Sequence, residues 1–547
     1  MSMKRSDSNT SPPSSLRPDG SRRLGPLSIY LGAFVFALAR SIAVGRHHLE
    51  PSPDGTEYLA AARSLVAGKG YQLPLHIYHV CEPYLAIHSA WGFRLPVYPA
   101  LLAAFSVLVG APPDGSPASR LYALNILLVA VACAIATFVA YRLAESYGAS
   151  PAAATLAAVL TAWSLANATP LLYCAINLYS EPVGMVLALT AAALTLASSS
   201  RRPMRWLAGG LAAGLAAQAR GELIVLPVGL ALTLVVRHLR PSDAHRGSGD
   251  HALWQPLTLL TLGAAVGFVP LKLLSAASPC GHESVYDYHF RVVSFKALLT
   301  EGPQPSAFDF LRTHVRLIAS SILRNARANA EVVLTPTSFL LGPVIVLACL
   351  RTEMLPGLLL FGVTTTIWFA RDPDRFTLIP IALCAPVCAA SVAVMWERWR
   401  ATIPPALGRA TALLIVAALT IHFGLASRRL EETIGMSRPP LIWDGPDLPA
   451  LATRLRDGLG VDEAFAAVTP WPLYLATGHP GVLIPIVEDR DVLRRFLQDH
   501  PDVRAVVLRP AAPYGQMSED WPESWLPDAR WERVGDDRIA WLPGSQP

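Results

Sequence analysis

The sequence predicts an α-helical polytopic membrane protein of about 11–13 transmembrane helices, with a small α/β domain at its C-terminal end. Three observations predict it. Apolar residues make up 52% of the 547 and charged residues only 16%, where a soluble domain carries roughly a quarter charged residues. Long apolar runs recur between residues 26 and 426, and about 20 apolar residues cross a bilayer as a helix. Beyond residue 427 the runs shorten to strand length. The net charge of +5 is small and scattered over short loops, which argues for membrane orientation and against a nucleic-acid partner.

Residues 1–25 are polar, with Lys4, Arg5, Arg17, Arg22 and Arg23 among Ser and Pro, and are expected to be a disordered cytoplasmic N-terminus. The run that follows has no clean small-x-small cleavage site, so it reads as the first span and not as a signal peptide. Candidate crossings are 26–45, 119–141, 151–171, 181–198, 204–219, 221–237, 253–277, 334–350, 354–370, 375–396 and 405–426. The stretch 94–110 is short and proline-flanked and reads as a juxtamembrane or re-entrant hairpin. With it left out, Arg142, Arg201, Arg202, Arg205, Arg237, Arg240, Arg246, Arg351, Arg398 and Arg400 fall in cytoplasmic loops, which is the positive-inside pattern. The membrane domain is then 26–426, with outer loops 46–118 and 279–333, and residues 427–547 form the extracytoplasmic domain. A multi-pass protein of the inner (plasma) membrane is expected. In the last region, runs at 464–468, 481–487 and 503–508 read as strands and 491–497 as an amphipathic helix, an α/β order in a unit too small for obvious catalysis.

Of seven cysteines, Cys133, Cys174, Cys349, Cys384 and Cys388 sit in or beside apolar spans as small core residues. Cys81 and Cys280 fall in outer loops, where a bridge between them is open. No zinc-type spacing appears, and His76, His79, Cys81, Glu82 and His88 fit no standard metal site.

Charges at membrane depth are costly, which makes them functional candidates. By this topology several meet at the outer boundary. Asp54 follows the first span and opens the segment Asp54–Val66, in which Tyr58, Leu59, Ala62, Leu65 and Val66 share one helical face and Glu57, Arg63 and Ser64 the other. That pattern suits a short helix lying in the membrane interface. Glu181 opens a later span, Arg220 and Glu222 share a tight turn, and Arg371, Asp372, Asp374 and Arg375 share another. Each has a plain structural alternative: Asp54 as a helix cap, Glu181 as a helix start, Arg220 and Glu222 as a pair, and the last group as a solvated turn.

The ordered series of motifs resembles the polytopic GT-C glycosyltransferases that use polyprenyl-phosphate sugars. It is similar to bacterial relatives of protein O-mannosyltransferases and of the aminoarabinose transferase that modifies lipid A. The series runs from Asp54 with Tyr58, Ala61 and Ala62 to Gly68-Lys69-Gly70-Tyr71, then Arg94-Leu95-Pro96-Val97-Tyr98-Pro99 and Ser180-Glu181-Pro182. It continues with Gly210–Ala216 leading to Arg220, and with Asp374-Arg375-Phe376-Thr377-Leu378-Ile379-Pro380. The segment Tyr474–Pro480 resembles the extracytoplasmic part of such enzymes. Two departures stand out: Gly55 replaces the second acid of an Asp-Glu pair, and Phe376 replaces a tyrosine.

The resemblance implies an integral membrane glycosyltransferase of the cell envelope. It would move a sugar, with inversion, from a polyprenyl-phosphate donor to a lipid, glycan or protein acceptor on the extracytoplasmic side. It implies Asp54 as general base, Glu181 as acceptor-orienting or sharing that role, and Arg375, Arg220 and Arg371 on the donor phosphate. Glu222, Tyr58, Arg94 and Tyr98 are further site candidates. No cofactor is expected, and Gly55 leaves a divalent metal open. Membrane lipid is an expected partner and nucleic acid is not. The alternatives are a transporter or flippase of lipid-linked sugars, which would show matched interrupted halves, and a catalytically inactive relative.

Overall fold

The computed structural model describes residues 24–45, 52–76, 87–91, 94–110, 119–197, 202–239, 251–278, 312, 315–336, 338–348, 351–366, 373–437, 447–467, 469–484, 490–508 and 522–544. Arg371, Asp372, Cys81, Cys280, Cys349, most of the loop 279–333 and nearly all of the N-terminal tail lie outside them.

The chain is mostly helical. The membrane part is built from α1 (Leu24–Gly45), α2 (Pro53–Val66), α3 (Val97–Leu108), α4 (Ser119–Ser146), α5 (Pro151–Ala166), α6 (Thr169–Ala175), α7 (Glu181–Thr195), α8 (Pro203–Ala219) and α9 (Leu226–Leu239). It continues with α10 (His251–Ala276), α11 (Val315–Leu334), α12 (Ile345–Ala348), α13 (Leu355–Thr366), α14 (Pro373–Arg400) and α15 (Pro405–Ser437). Six described stretches are long and apolar enough to cross a membrane, and α5 with α6, bent by 60° at their junction, makes a seventh if read as one span. The expected span 334–350 is not continuous: a 3₁₀ turn at Gly342–Val344 leads into the four-residue α12. Helix α3, in the doubtful stretch 94–110, has 12 residues; at 1.5 Å per residue it spans about 18 Å, too short for a bilayer core.

Packing is closest where side chains are smallest. On α8 a Cβ at Gly210 would lie 2.1 Å from the Leu260 carbonyl oxygen, and one at Gly214 would lie 2.3 Å from that of Ala264. From α10, Gly263 and Gly267 press in the same way on Leu207 and Leu211. Two small-xxx-small pairs thus let two backbones touch, which replaces the hydrophobic drive that lipid cannot supply. This contact fixes the end of α8 from which Arg220 projects.

The six-stranded sheet has the order β2-β5-β4-β6-β8-β7, with β2 Leu75–His76, β4 Ala464–Ala467, β5 Gly481–Leu483, β6 Val503–Leu508, β7 Arg530–Val534 and β8 Asp537–Trp541. Strands β2, β5, β4 and β6 run parallel, and β8 and β7 add an antiparallel hairpin. A separate two-residue pair joins β1 (Gln72–Leu73) to β3 (His88–Ser89). Helices α16 (Leu448–Gly458), α17 (Pro470–Thr477) and α18 (Arg490–Asp499) accompany the sheet. The strands expected from the short apolar runs are present. The edge strand β2, however, comes from the loop after α2, so the sheet ties the two ends of the chain together.

Helix α2 sits in that joint. Ala60 and Ala61 pack with Leu73, Leu75, Trp471, Leu473 and Tyr474. Tyr58, Leu59 and Ala62 pack with Tyr98, Leu102 and Leu178. Residues 55–62 are therefore buried all round, in place of the expected interfacial helix with one polar face. Glu57, assigned by periodicity to that polar face, is 1% exposed, because the sheet region covers it.

Candidate active site

Five separate segments deliver charge to one place. The start of α2 brings Asp54, and the segment ahead of α3 brings Arg94. The start of α7 brings Glu181, the α8–α9 junction brings Arg220 and Glu222, and the start of α14 brings Arg375. Helix starts recur because their unpaired backbone N–H groups and dipole favour carboxylates there. Arg220 stands at the end of α8 with extended backbone (φ −150°, ψ 122°) before the 3₁₀ turn Gly221–Val225. The chain turns at that point, which aims the guanidinium inward.

The side chains form a line of alternating charge. Arg94 donates from Nη2 to Asp54 Oδ1 at 2.7 Å and from Nε to Glu57 Oε2 at 2.6 Å. Arg375 Nη1 lies 2.6 Å from Asp54 Oδ2, and Arg375 Nε donates to Glu181 Oε1. Arg220 Nη1 reaches the same Glu181 oxygen at 2.5 Å, and its Nε donates to Glu222. Aromatic faces support the cations: Tyr179 lies under Arg375 at 4.0 Å, Tyr58 under Arg94 at 5.2 Å and Phe376 under Arg220 at 5.2 Å. Phe376 thus keeps the ring that a tyrosine would offer.

Each plain alternative can be checked against this geometry. Ser52, not Asp54, caps α2, with its Oγ accepting from the Gly55 N–H at 3.1 Å. Glu181 does more than start a helix, since its Oε1 serves two arginines. Arg220 and Glu222 do pair with each other, and Arg220 also binds Glu181. Tyr58 hydroxyl lies 3.1 Å from Ser180 Oγ. Tyr98 packs edge-on to Tyr58 and donates to Asn125 Oδ1 at 2.9 Å, and Asn125 Nδ2 in turn donates to the carbonyl oxygens of Asn177 and Tyr179. Tyr98 and Asn125 thereby hold the Asn177–Ser180 turn that presents Glu181. Arg371 lies outside the described residues, as does Asp372, and nothing here places the Asp374 side chain.

Three members of the site escaped the sequence reading. Glu57 shares Arg94 with Asp54, and its Oε1 accepts from Trp471 Nε1 of α17 at 3.1 Å. The region after residue 427, expected to be too small for obvious catalysis, therefore reaches the site. Tyr179 is the third addition; its place beside Ser180-Glu181 is the one available signal.

The Asp54 side chain is 27% exposed, whereas Glu181 is fully buried. Burial opposes the charge of Asp54, but the Arg94 and Arg375 guanidiniums overcome it and hold the carboxyl well below the usual carboxylate range. Glu57 goes the other way. Burial pushes it up to about 7, Arg94 offsets this only in part, and the charge on Asp54 adds to it. Among the described residues no three His, Cys, Asp or Glu side chains gather in a group suited to a metal ion. Among the described residues the carboxylates of the site face guanidiniums instead.

No protein-family model and no curated protein matches the sequence. Solved structures do. ArnT from Cupriavidus metallidurans bound to undecaprenyl phosphate matches at 17% identity over 95% of this chain and 98% of that one, with a TM-score of 0.51. The archaeal oligosaccharyltransferase AglB from Archaeoglobus fulgidus, in complex with an inhibitory peptide and a dolichol-phosphate, matches at 13% identity over 96% of this chain and 75% of that one, with a TM-score of 0.51. The A. fulgidus oligosaccharyltransferase in complex with Zn and sulfate matches at 14% identity, over 87% and 67%, with a TM-score of 0.52. At these identities the likeness is one of fold: the chain is a multi-pass membrane protein with the GT-C fold that ArnT and the archaeal oligosaccharyltransferase share.

Proposed function

We propose that the protein is an integral membrane glycosyltransferase that moves a sugar from a polyprenyl-phosphate donor to an acceptor hydroxyl, with inversion, on the extracytoplasmic side of the inner membrane. One observation carries the reading. Asp54, Glu181, Arg220 and Arg375, far apart in sequence, meet in one ion network with Asp54 at its exposed edge. The undecaprenyl phosphate and dolichol-phosphate of the two fold neighbours support a lipid-phosphate donor here.

In this reading the donor phosphate draws Arg375 and Arg220, whose planar guanidiniums offer fixed paired donors. Arg371, two residues before α14, is proposed to join them. Asp54 takes the proton of the acceptor hydroxyl as that oxygen forms its bond to the anomeric carbon. The bond from the anomeric carbon to the phosphate oxygen breaks, its electron pair leaves with the polyprenyl phosphate, and attack from the opposite face inverts the centre. The arginines steady the charge that develops on the leaving phosphate. A carboxylate held by two guanidiniums is a weak base. When the phosphate claims Arg375, Asp54 loses one of them, so donor binding itself raises the basicity that the transfer step needs. Glu181 holds Arg375 and Arg220 together on one carboxylate oxygen. Tyr58, Tyr98 and Glu222 keep these groups in place.

The test is sugar transfer from a panel of short-chain polyprenyl-phosphate sugars, comparing wild type with Asp54→Asn after both are shown to be folded in detergent. Loss of turnover by about 100-fold or more, the scale of a general base, is the expected result. Turnover preserved in Asp54→Asn would remove Asp54 from the chemistry.

A further inference from the structure

Glu57 is a buried carboxylate of the network. The apolar groups of both clusters around α2 surround it, and a buried ionised carboxylate is costly unless it is well paired. Its two oxygens have separate partners: Oε2 takes Nε of Arg94 at 2.6 Å and also meets its Nη2, and Oε1 takes the indole N–H of Trp471 at 3.1 Å. The same Arg94 gives Nη2 to Asp54 at 2.7 Å. One guanidinium is thus divided between the exposed acid and the buried one, and the sheet region holds the buried one in position.

We propose that Glu57 is a positioning residue for Asp54: fixed by Trp471 of the sheet region, it sets how much of Arg94 is left to neutralise Asp54, and so tunes that carboxylate as a base. The inference rests on the glycosyl-transfer reading and adds Glu57 and Trp471 to it. An ionised Glu57 takes Arg94 to itself and leaves Asp54 more basic. A neutral Glu57 leaves Arg94 to Asp54 and weakens it. Among the described residues, the charged groups that act on Glu57 are Arg94, from the segment ahead of α3, and Asp54 on its own helix, while α17 presents the uncharged indole of Trp471. Because burial places the Glu57 transition at about 7, the tuning operates in the neutral range. It also accounts for Gly55. A Cβ there would meet the Leu178 Cβ at 3.2 Å and Ser52 Oγ at 3.3 Å, so an acid is crowded next to Asp54 and has room one helical turn on.

The experiment measures transfer from an undecaprenyl-phosphate sugar by the full chain in lipid nanodiscs, from about pH 5.5 to 8.5 to bracket the transition. Wild type, Glu57→Gln, Glu57→Asp and Trp471→Phe are compared. Wild-type kcat rises through neutral pH. In Glu57→Gln the rise disappears and kcat at high pH falls roughly three- to tenfold, the effect of about one to two pK units on a base of intermediate Brønsted sensitivity, with the donor KM unmoved. Glu57→Asp restores part of the rise. Trp471→Phe moves it to higher pH, because the ionised form loses a hydrogen bond. A Glu57→Gln profile that keeps the wild-type rise, a loss carried wholly by KM, or a Trp471→Phe rise that stays put would overturn the inference and leave the transferase reading intact. Wild type that binds undecaprenyl phosphate but transfers nothing from any donor would overturn that reading, and the inference with it.

Discussion

Two acids open two helices in this protein, and the structure treats them differently. Asp54 at the start of α2 lies at an edge, with one arginine on each oxygen and part of its surface open. Glu181 at the start of α7 is closed in completely, with Arg375 and Arg220 both on one oxygen and its other oxygen buried without a hydrogen bond among the described residues. A group that must receive a proton from an incoming hydroxyl needs the first setting. A group that must hold two cations in register needs the second. The sequence reading gave the two acids overlapping roles, and we propose that their different surroundings separate them.

That separation can be broken by exchange of function against stability. Glu181→Ala should have the largest effect, because it strands Arg375 and Arg220 in a buried place; removing one partner of a buried pair costs about 3–5 kcal/mol. A large fall in melting temperature together with loss of transfer is expected. A variant that melts like wild type would show Glu181 to be as dispensable to the fold as an exposed acid. Asp54→Asn should do the reverse, with transfer down about 100-fold and melting little changed, since Asp54 stays hydrated at one side. Arg375→Lys comes next. Arg375 joins Asp54 to Glu181, and an ammonium is a point charge that cannot keep both contacts in a fixed fork. Its transfer should drop about tenfold or more, as one charge-assisted hydrogen bond of roughly 1.5–3 kcal/mol is lost. If Arg375→Lys transfers like wild type, the bridge between the two acids has no part in the reaction.

The sequence made the charges of this site legible for a simple reason. In apolar surroundings a charged residue stands out, and Asp54, Glu181, Arg220, Glu222 and Arg375 could be named before their meeting was known, whereas Arg94 was named only through the family resemblance. What it could not show was which region would cover which face. Periodicity put Glu57 on a solvent face of α2, a sound inference for a helix with one covered side. Here the covering group is Trp471, 414 positions away, and no local pattern contains it. The same holds for β2, two residues long, whose partner Gly481 lies beyond all the spans. The count of crossings suffered from a related gap. Apolar runs show where helices form, but not that a helix ends at Leu334 and the chain turns back on it, so that a Cβ at Gly342 would fall 1.8 Å from the Val333 carbonyl oxygen.

The smallest effect concerns Glu57 and stability, and its sign is the informative part. Burial raises the folded-state value of this carboxyl from 4.5 to about 7, so protonation favours the folded chain. The stabilising contribution is fully present below the unfolded value and is lost as pH rises to about 7. Glutamine copies the protonated form at every pH. Melting temperatures of Glu57→Gln and wild type should therefore agree near pH 4.5, and the variant should gain on wild type up to about pH 7 and hold that lead above it. An ordinary structural ion pair predicts the opposite, a variant that falls behind as its lost partner ionises. If Glu57→Gln becomes the more stable protein at neutral pH while transferring sugar more slowly, the buried acid lowers stability and serves the reaction, as expected of residues whose charge is kept against the preference of the fold.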